Sequence, residues 1–306
     1  MSLHLGVDGG GTKTAFVLVD ERLTVLAEAS GPTCYAFPAD AAKVRRVLAD
    51  GVAAVTAAAG VDAAALDSAF FALPGYGEAS ADVPVLDRVP GEVLGHGRYR
   101  VGNDMIAGWA GSLAGADGIN VVAGTGSIAY GEWAGRSARS GGWSELFGDE
   151  GSGYWIAIRG LNAFSRMSDG RAARTLLHAR LLRAFGTDRD FDVIGVVGGE
   201  WAGDRTRVAA LSRVVVDAAE DGDPVAQGIV ADAGRELALL AHAIRAALEV
   251  PAGETVPVSY SGGMFTAPTV LAAFGAALGS GYRLAAPVHG PAVGAALVAL
   301  RGATRP

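Results

Sequence analysis

Cysteine is almost absent from this chain: Cys34 is the single one in 306 residues. One thiol excludes an internal disulfide framework and any zinc or iron–sulfur site held by several cysteines of one chain. It also fits a reducing compartment. The first residues read as a polar turn entering a strand, not as a signal peptide, so a cytoplasmic location is expected. Charge is sparse as well: 19% of residues are charged and 50% are hydrophobic, which argues against disorder and leaves enough apolar surface for a sizeable core. Acidic residues outnumber basic ones, 32 against 25, for a net charge of −7. Without a basic stripe a nucleic-acid partner is not expected. No uncharged apolar run approaches the ~18 residues of a membrane span, and no low-complexity linker interrupts the chain. The length suits two domains at about 100–200 residues each.

What the chain has in abundance is glycine, 45 residues. Two glycine-rich turns stand out. Asp8-Gly9-Gly10-Gly11-Thr12-Lys13-Thr14 follows the apolar run Leu3–Val7, and Gly124-Thr125-Gly126-Ser127 follows Asn120–Ala123. Glycine allows backbone N–H groups to approach a phosphate, and Thr or Ser adds a hydroxyl donor. The first turn is not a P-loop, because Thr12 separates Gly11 from Lys13 and the turn joins two strands, not a strand to a helix. Two such turns read as a polyphosphate gripped from both sides of a cleft.

Residues 3–8, 14–19 and 23–29 read as an antiparallel meander, 40–59 as an amphipathic helix with Ala42, Val44, Val47, Leu48, Val52 and Val55 apolar at roughly helical spacing, and 67–73 as a strand closed by Pro74-Gly75-Tyr76-Gly77. A strand over 98–102 leads through Asn103-Asp104 into a helix from about Met105. From 119 the strand, glycine turn and strand recur, which reads as an internal duplication. Helices are expected near 152–166, 171–185, 206–220 and 224–249. A strand over 256–260 ends at Ser261-Gly262-Gly263, and Pro291 opens a last helix. The boundary is placed at 116/117, giving domains 1–116 and 117–290, with the 291–306 helix completing the first.

The first turn resembles the first phosphate motif of the actin–hexokinase–heat-shock-chaperone superfamily, the second turn its second phosphate motif, and Ser261-Gly262-Gly263-Met264-Phe265 its adenosine motif. Gly141-Gly142-Trp143-Ser144-Glu145-Leu146-Phe147-Gly148-Asp149-Glu150-Gly151-Ser152 is similar to a segment of N-acetylglucosamine kinases and the wider BadF/BadG/BcrA/BcrD ATPase group. The resemblance runs through nearly the whole chain. It implies an α/β chain of two duplicated ribonuclease H-like domains, the actin-like ATPase fold, with an interdomain ATP cleft.

The implied activity is an ATP-dependent hexosamine kinase acting on the 6-hydroxyl of N-acetylglucosamine or glucosamine, with Mg²⁺ and a small amino sugar as partners. A homodimer is also a family expectation. From spacing alone Asp104 reads equally as a helix cap or as a base; the resemblance makes it the general base. Asp8 is then the metal carboxylate, Gly10, Gly11, Thr12, Lys13, Thr125, Gly126, Ser127, Ser261, Gly262 and Gly263 meet ATP, and Gly142, Trp143 and Asp149 join Asp104 around the sugar. The kinases carry an asparagine in the loop that corresponds to 31–36; here it reads Gly-Pro-Thr-Cys-Tyr-Ala, so Thr33 or Tyr35 would supply a hydroxyl. That keeps the free amine alongside the acetamide. Two other readings are a BadF-type ATPase that drives electrons into a partner, which needs two cysteines per chain, and a non-catalytic sensor, which would tolerate loss of Asp104 and for which a preceding DNA-binding segment is expected. A cysteine-rich zinc motif of the repressor–kinase type is excluded by the cysteine count. The histidines show no metal-ligand spacing.

Overall fold

A computed structural model describes residues 1–36 and 38–303; positions 304–306 of the expected last helix lie outside them. The chain divides into two compact units, one of residues 1–117 with 286–306 and one of residues 118–285.

The first unit begins with the meander β1 (His4–Gly9), β2 (Lys13–Val19) and β3 (Val25–Pro32). Asp40 then caps α1 (Ala41–Ala59) by accepting from the Ala42 and Lys43 N–H groups, and Gly60 ends it in the left-handed region at φ 67°. Val44, Val47, Leu48, Val52 and Val55 are buried, as their spacing predicts, whereas Ala42, expected with them, is exposed in the first turn. There follow β4 (Ser68–Leu73), α2 (Val83–Leu94), β5 (Tyr99–Asn103) and α3 (Asp104–Ser112). The strands form one sheet in the order β3-β2-β1-β4-β5, with β4 parallel to β1 and β5 parallel to β4.

Helix α2 has no counterpart in the sequence-based expectations. It carries Pro84 in its first turn, where proline is tolerated, and Pro90 inside, where it removes a hydrogen bond. Burial of Leu86, Val89, Pro90 and Leu94 overrides that local cost.

The second unit repeats the plan. The meander is β6 (Gly118–Ala123), β7 (Ser127–Trp133) and β8 (Arg136–Gly141). A helical block follows: α4 (Gly153–Ser168), α5 (Leu176–Phe185), the short α6 (Asp192–Ile194) running into a π-helical turn over 195–200, α7 (Arg205–Ala210), α8 (Ser212–Glu220) and α9 (Pro224–Ala247). Then come β9 (Val256–Ser261), α10 (Pro268–Leu278) and β10 (Tyr282–Leu284). The sheet order is β10-β9-β6-β7-β8, which read in reverse is the order of the first sheet. The duplication expected from the glycine turns is therefore a duplication of whole sheets.

Two expected helices are shorter than the periodicity implies. Over 171–185 only Leu176–Phe185 is helical, because Gly170 at φ 76° has just ended α4. The run 206–220 is split around Leu211. The amphipathic pattern continues across both interruptions, so periodicity alone cannot see them. Helix α10 and β10 were not expected.

The last helix, α11 (Pro291–Ala303), belongs to the first unit. Its small residues let it lie directly on β1 and α3: a methyl group on Gly294 would enter the α3 backbone at Ala107 and Gly111, and one on Gly6 would enter α11 at Ala292 and Ala296. Among the described residues no helix is long and apolar enough to cross a membrane.

Candidate active site

Parallel strands direct their carboxyl ends to one edge of a sheet, the usual ligand edge of an open α/β fold. In the first unit Asp8 stands at the end of β1, in register with Ala72 of β4, which pairs in turn with Gly102 of β5. Asp104 is one step beyond β5 and opens α3. The cap of that helix is Asn103: its side chain accepts the Met105 N–H at 3.1 Å and donates to the Tyr76 carbonyl, also at 3.1 Å. Asn103 is the helix cap, although the Asp104 carboxyl also takes backbone N–H contacts from Met105 and from its own residue, which oppose the rise in its pKa.

Its electrostatics are unusual. Burial pushes the Asp104 carboxyl up to about 7, and the charges of Asp8 and Glu78 add to the rise. Burial likewise pushes Asp8 up to about 6, partly offset by Lys13. Glu78 was not singled out from sequence; it lies in the turn after β4, and nothing in its local pattern marks it. Two half-buried carboxyls, both raised by burial and one raised further by the other's charge, fit a cation. Mg²⁺ asks for one or two carboxylates, waters and phosphate oxygens, not a full protein cage. No group of three or more His, Cys, Asp or Glu residues that could hold a metal occurs among the described residues.

The first glycine turn projects from the same edge. The Gly10 N–H donates to the Lys13 carbonyl at 2.8 Å. None of Gly9, Gly10 and Gly11 has a positive φ, so conformation does not require them. Space does in one case: a methyl on Gly9 would lie 2.7 Å from Pro74 and 2.9 Å from Cys34 Sγ, whereas Gly11 has nothing within 4 Å. Thr33, a proposed substitute for the missing asparagine, has its hydroxyl engaged. It donates to the Gly10 carbonyl at 2.7 Å and accepts the Tyr35 N–H at 3.0 Å. It ties the 31–36 loop to the turn.

In the second unit the turn after β6 and the end of β9 share one edge. Val122 pairs with Ser261 across the parallel ladder, and Ser261 Oγ accepts from Asn120 Nδ2 at 3.1 Å. Gly262 is required there: its φ is 99°, and a methyl would lie 2.6 Å from the Ala123 carbonyl carbon. A sequence spacing of 139 residues hid this contact between the end of β6 and the Ser261-Gly262-Gly263 turn. The first N–H groups of α4, from Gly153 and Tyr154, donate to the carbonyls of Gly124 and Thr125 at 2.8 and 3.1 Å. The Ser127 hydroxyl, expected to meet ATP, is buried and donates to the Glu150 carbonyl at 2.7 Å.

The 142–150 loop is placed beside that turn. Trp143 is 66% exposed, so it is not a core residue, and Leu146 and Phe147 are more exposed still. Asp149 is the opposite: 3% exposed, in the left-handed region at φ 56°, with Oδ2 accepting from Arg205 Nη2 at 2.5 Å. Burial raises its pKa and Arg205 opposes the rise. Asp149, expected at the sugar, thus faces inward beneath the turn. Arg205 itself carries no sequence signal beyond its position after a capping aspartate.

A family model described as the BadF/BadG/BcrA/BcrD ATPase family matches residues 5–299. An N-acetylmuramic acid/N-acetylglucosamine kinase of Clostridium acetobutylicum is 31% identical over 80% of this chain and 79% of its own length. An N-acetyl-D-glucosamine kinase of Dictyostelium discoideum is 29% identical over 85% of both. A crystal structure from Chromobacterium violaceum, provisionally assigned as an N-acetylglucosamine kinase, superposes with a TM-score of 0.76 at 28% identity, covering 98% of this chain and 99% of that one. A ROK family glucokinase from Streptomyces griseus, at 20% identity and a TM-score of 0.60 over 98% and 100% of the two chains, shares the fold. With two sheets of one strand order, a glycine turn on each, and a match over nearly its entire length, the chain belongs to the BadF/BadG/BcrA/BcrD ATPase family.

Proposed function

We propose that this protein is an ATP-dependent kinase that phosphorylates the 6-hydroxyl of an amino sugar, N-acetylglucosamine or glucosamine. One observation carries the reading: Asp104, next to the helix cap Asn103, is held half-buried at the carboxyl edge of its sheet with a pKa near 7. A base with that pKa is half ionised at neutral pH, where general-base catalysis is most efficient. The named relatives, both kinases of N-acetylglucosamine, support the acceptor class.

Asp104 accepts the proton of the attacking hydroxyl and aligns its oxygen. Asp8 would hold Mg²⁺, which would supply charge neutralisation to the phosphates. Of the first unit, Gly10, Gly11, Thr12 and Lys13 are assigned to phosphate. Of the second, Thr125, Gly126 and Ser127 are assigned to phosphate, mainly through backbone N–H groups, and Ser261, Gly262 and Gly263 to the adenosine side. Gly142, Trp143 and Asp149 form the loop assigned to the sugar. The functional domains are 1–116 with 291–306, and 117–290.

ADP release measured over glucosamine, N-acetylglucosamine, glucose and N-acetylmannosamine tests the proposal. Saturable release with an amino sugar is expected. Release that ignores all four sugars overturns it.

A further inference from the structure

The 142–150 loop is held in a demanding conformation. Gly141, Gly142, Ser144, Asp149 and Gly151 all have positive φ, and for Ser144 and Asp149 that conformation carries a cost. Its large apolar side chains do not anchor it, since Trp143, Leu146 and Phe147 face solvent. Polar ties must therefore fix it. The Gly142 N–H donates to the Ser127 carbonyl at 2.9 Å, and Ser127 Oγ donates to the Glu150 carbonyl. Arg139 Nη2 donates to the Gly142 carbonyl at 3.1 Å, the Ser152 N–H donates to the Asp149 carbonyl at 3.1 Å, and two further ties meet at Arg205. Its Nη2 donates to Asp149 Oδ2, and its Nε lies 3.3 Å from Glu145 Oε2, an ion pair without a hydrogen bond. One guanidinium thus reaches both halves of the loop.

The same ion pair underlies the phosphate turn. A methyl group on Gly126 would lie 2.5 Å from both Arg205 Nη2 and Asp149 Oδ2, and the Asp149 carboxylate also accepts the Ser127 N–H. Arg205 is well placed to serve as an anchor. It is the first residue of α7, whose start is fixed by Asp204 accepting from the Thr206 and Arg207 N–H groups, and whose Val208 and Ala209 are buried.

We propose that Arg205 is a positioning residue which, through Asp149, locks the 124–127 turn and the 142–150 loop into one rigid piece, so that nucleotide and acceptor recognition depend on the same ion pair. The part concerning the acceptor rests on the kinase reading; the part concerning the nucleotide does not. A planar fork can engage two carboxylates at once, and an ammonium cannot.

The test is a double-mutant cycle on the full chain, read as the Kd of the non-hydrolysable analogue AMPPNP with Mg²⁺ and no sugar. Arg205→Gln and Asp149→Asn are each expected to weaken binding ~10-fold, and the double variant no more than the worse single, as for residues acting through one contact. Additive losses, or wild-type affinity in Arg205→Gln, overturn the proposal. Arg205→Gln leaves a buried carboxylate unpaired and can lower the melting temperature on that account alone. The double variant removes the charge and is expected to recover melting temperature but not affinity; recovery of both means the pair is only structural and refutes the proposal. With sugar present, Arg205→Lys is expected to raise the acceptor KM several-fold with a smaller change in kcat. If no sugar is turned over, the AMPPNP cycle still decides the nucleotide part. If sugars are turned over and the cycle is additive, this inference fails alone.

Discussion

The two sheets have one strand order, yet their glycine turns are secured differently. The turn after β1 has an open tip at Gly11 and is tied to its neighbouring loop by two hydroxyls: Thr33 donates to the Gly10 carbonyl, and Thr14 donates to the Pro32 carbonyl and accepts the Cys34 N–H. The turn after β6 is clamped by two N–H groups of α4, by the Ser127 hydroxyl, by the Asp149–Arg205 pair and by the close approach of Gly262. Charge divides in the opposite sense. The lightly tied edge carries Asp8, Asp104 and Glu78 with little cationic compensation, whereas at the clamped edge the buried carboxylate is paired. Duplication has supplied two copies of one scaffold; one has kept electrostatic strain, which chemistry can use, and the other has become a stiff support. Removing strain from the first edge should therefore stabilise the protein, and removing ties from the second should weaken it.

The largest effect is expected at Asp104. Asp104→Asn should lower kcat by about 10²–10⁴-fold while leaving AMPPNP affinity nearly unchanged. The same variant should melt at a higher temperature at pH 7.5, by the equivalent of about 1–3 kcal/mol, because it removes a carboxylate whose charge is disfavoured in the fold. A variant that loses activity and stability together would show that Asp104 is structural.

The sign of the pH dependence follows from the same groups. Asp8 and Asp104 have folded-state pKa values raised from 3.8 to about 6 and about 7. Between those limits the folded chain binds more protons than the unfolded one, so their contribution to stability declines as pH rises from about 4 to about 7, and levels off above. Thermal melts from pH 8 down to pH 6 should show the wild type gaining stability, and Asp104→Asn should show a flatter profile. Sugar-dependent kcat/KM should run the other way, falling below about pH 7 as the base is protonated. Parallel pH profiles for the wild type and the variant would contradict the assignment of strain to this residue.

How much of this was readable from residues alone depends on whether the information was local. The meander, α1 and both phosphate turns are legible because alternation, helical spacing and glycine runs are short-range signals. Asp104 was ambiguous in sequence because Asn103 and Asp104 can both cap; only the bonds of Asn103 to Met105 and Tyr76 assign the role. Helix α2 was invisible because its two prolines argue locally against it and only its packing argues for it. Arg205 and Glu78 were invisible because their partners lie 56 and 26 residues away from them in the chain, and nothing in the local pattern encodes either pairing.

Glycine substitutions sharpen the contrast between the edges. Gly262→Ala places a methyl against the Ala123 backbone at a positive φ, and should cost about 2–4 kcal/mol. Gly11→Ala meets nothing within 4 Å and should change stability by less than about 0.5 kcal/mol, while weakening AMPPNP binding if the open tip admits phosphate. The chain has two lysines, Lys13 and Lys43. Lys43 Nζ donates to the Tyr35 carbonyl at 2.6 Å, and Lys13 is exposed at the turn. Amine-directed labelling of Lys13 should accordingly be several-fold slower with AMPPNP present. Unchanged labelling would remove Lys13 from the phosphate site.

The smallest expected difference is the most direct comparison of the two ties. Thr33→Val removes the hydroxyl that donates to the Gly10 carbonyl, at a position where water can replace it, because Gly10 and Thr33 are partly exposed. Ser127→Ala removes the donor to the Glu150 carbonyl at a residue only 3% exposed, where water has less access. An unsatisfied buried acceptor costs about 1–3 kcal/mol, and a solvated one less. Ser127→Ala should therefore lower the melting temperature more than Thr33→Val, and Thr33→Val should act mainly by loosening the first turn, seen as a few-fold weaker AMPPNP affinity at nearly constant stability. Equal losses of stability would mean that the two edges are secured alike and that the asymmetry lies only in their charge.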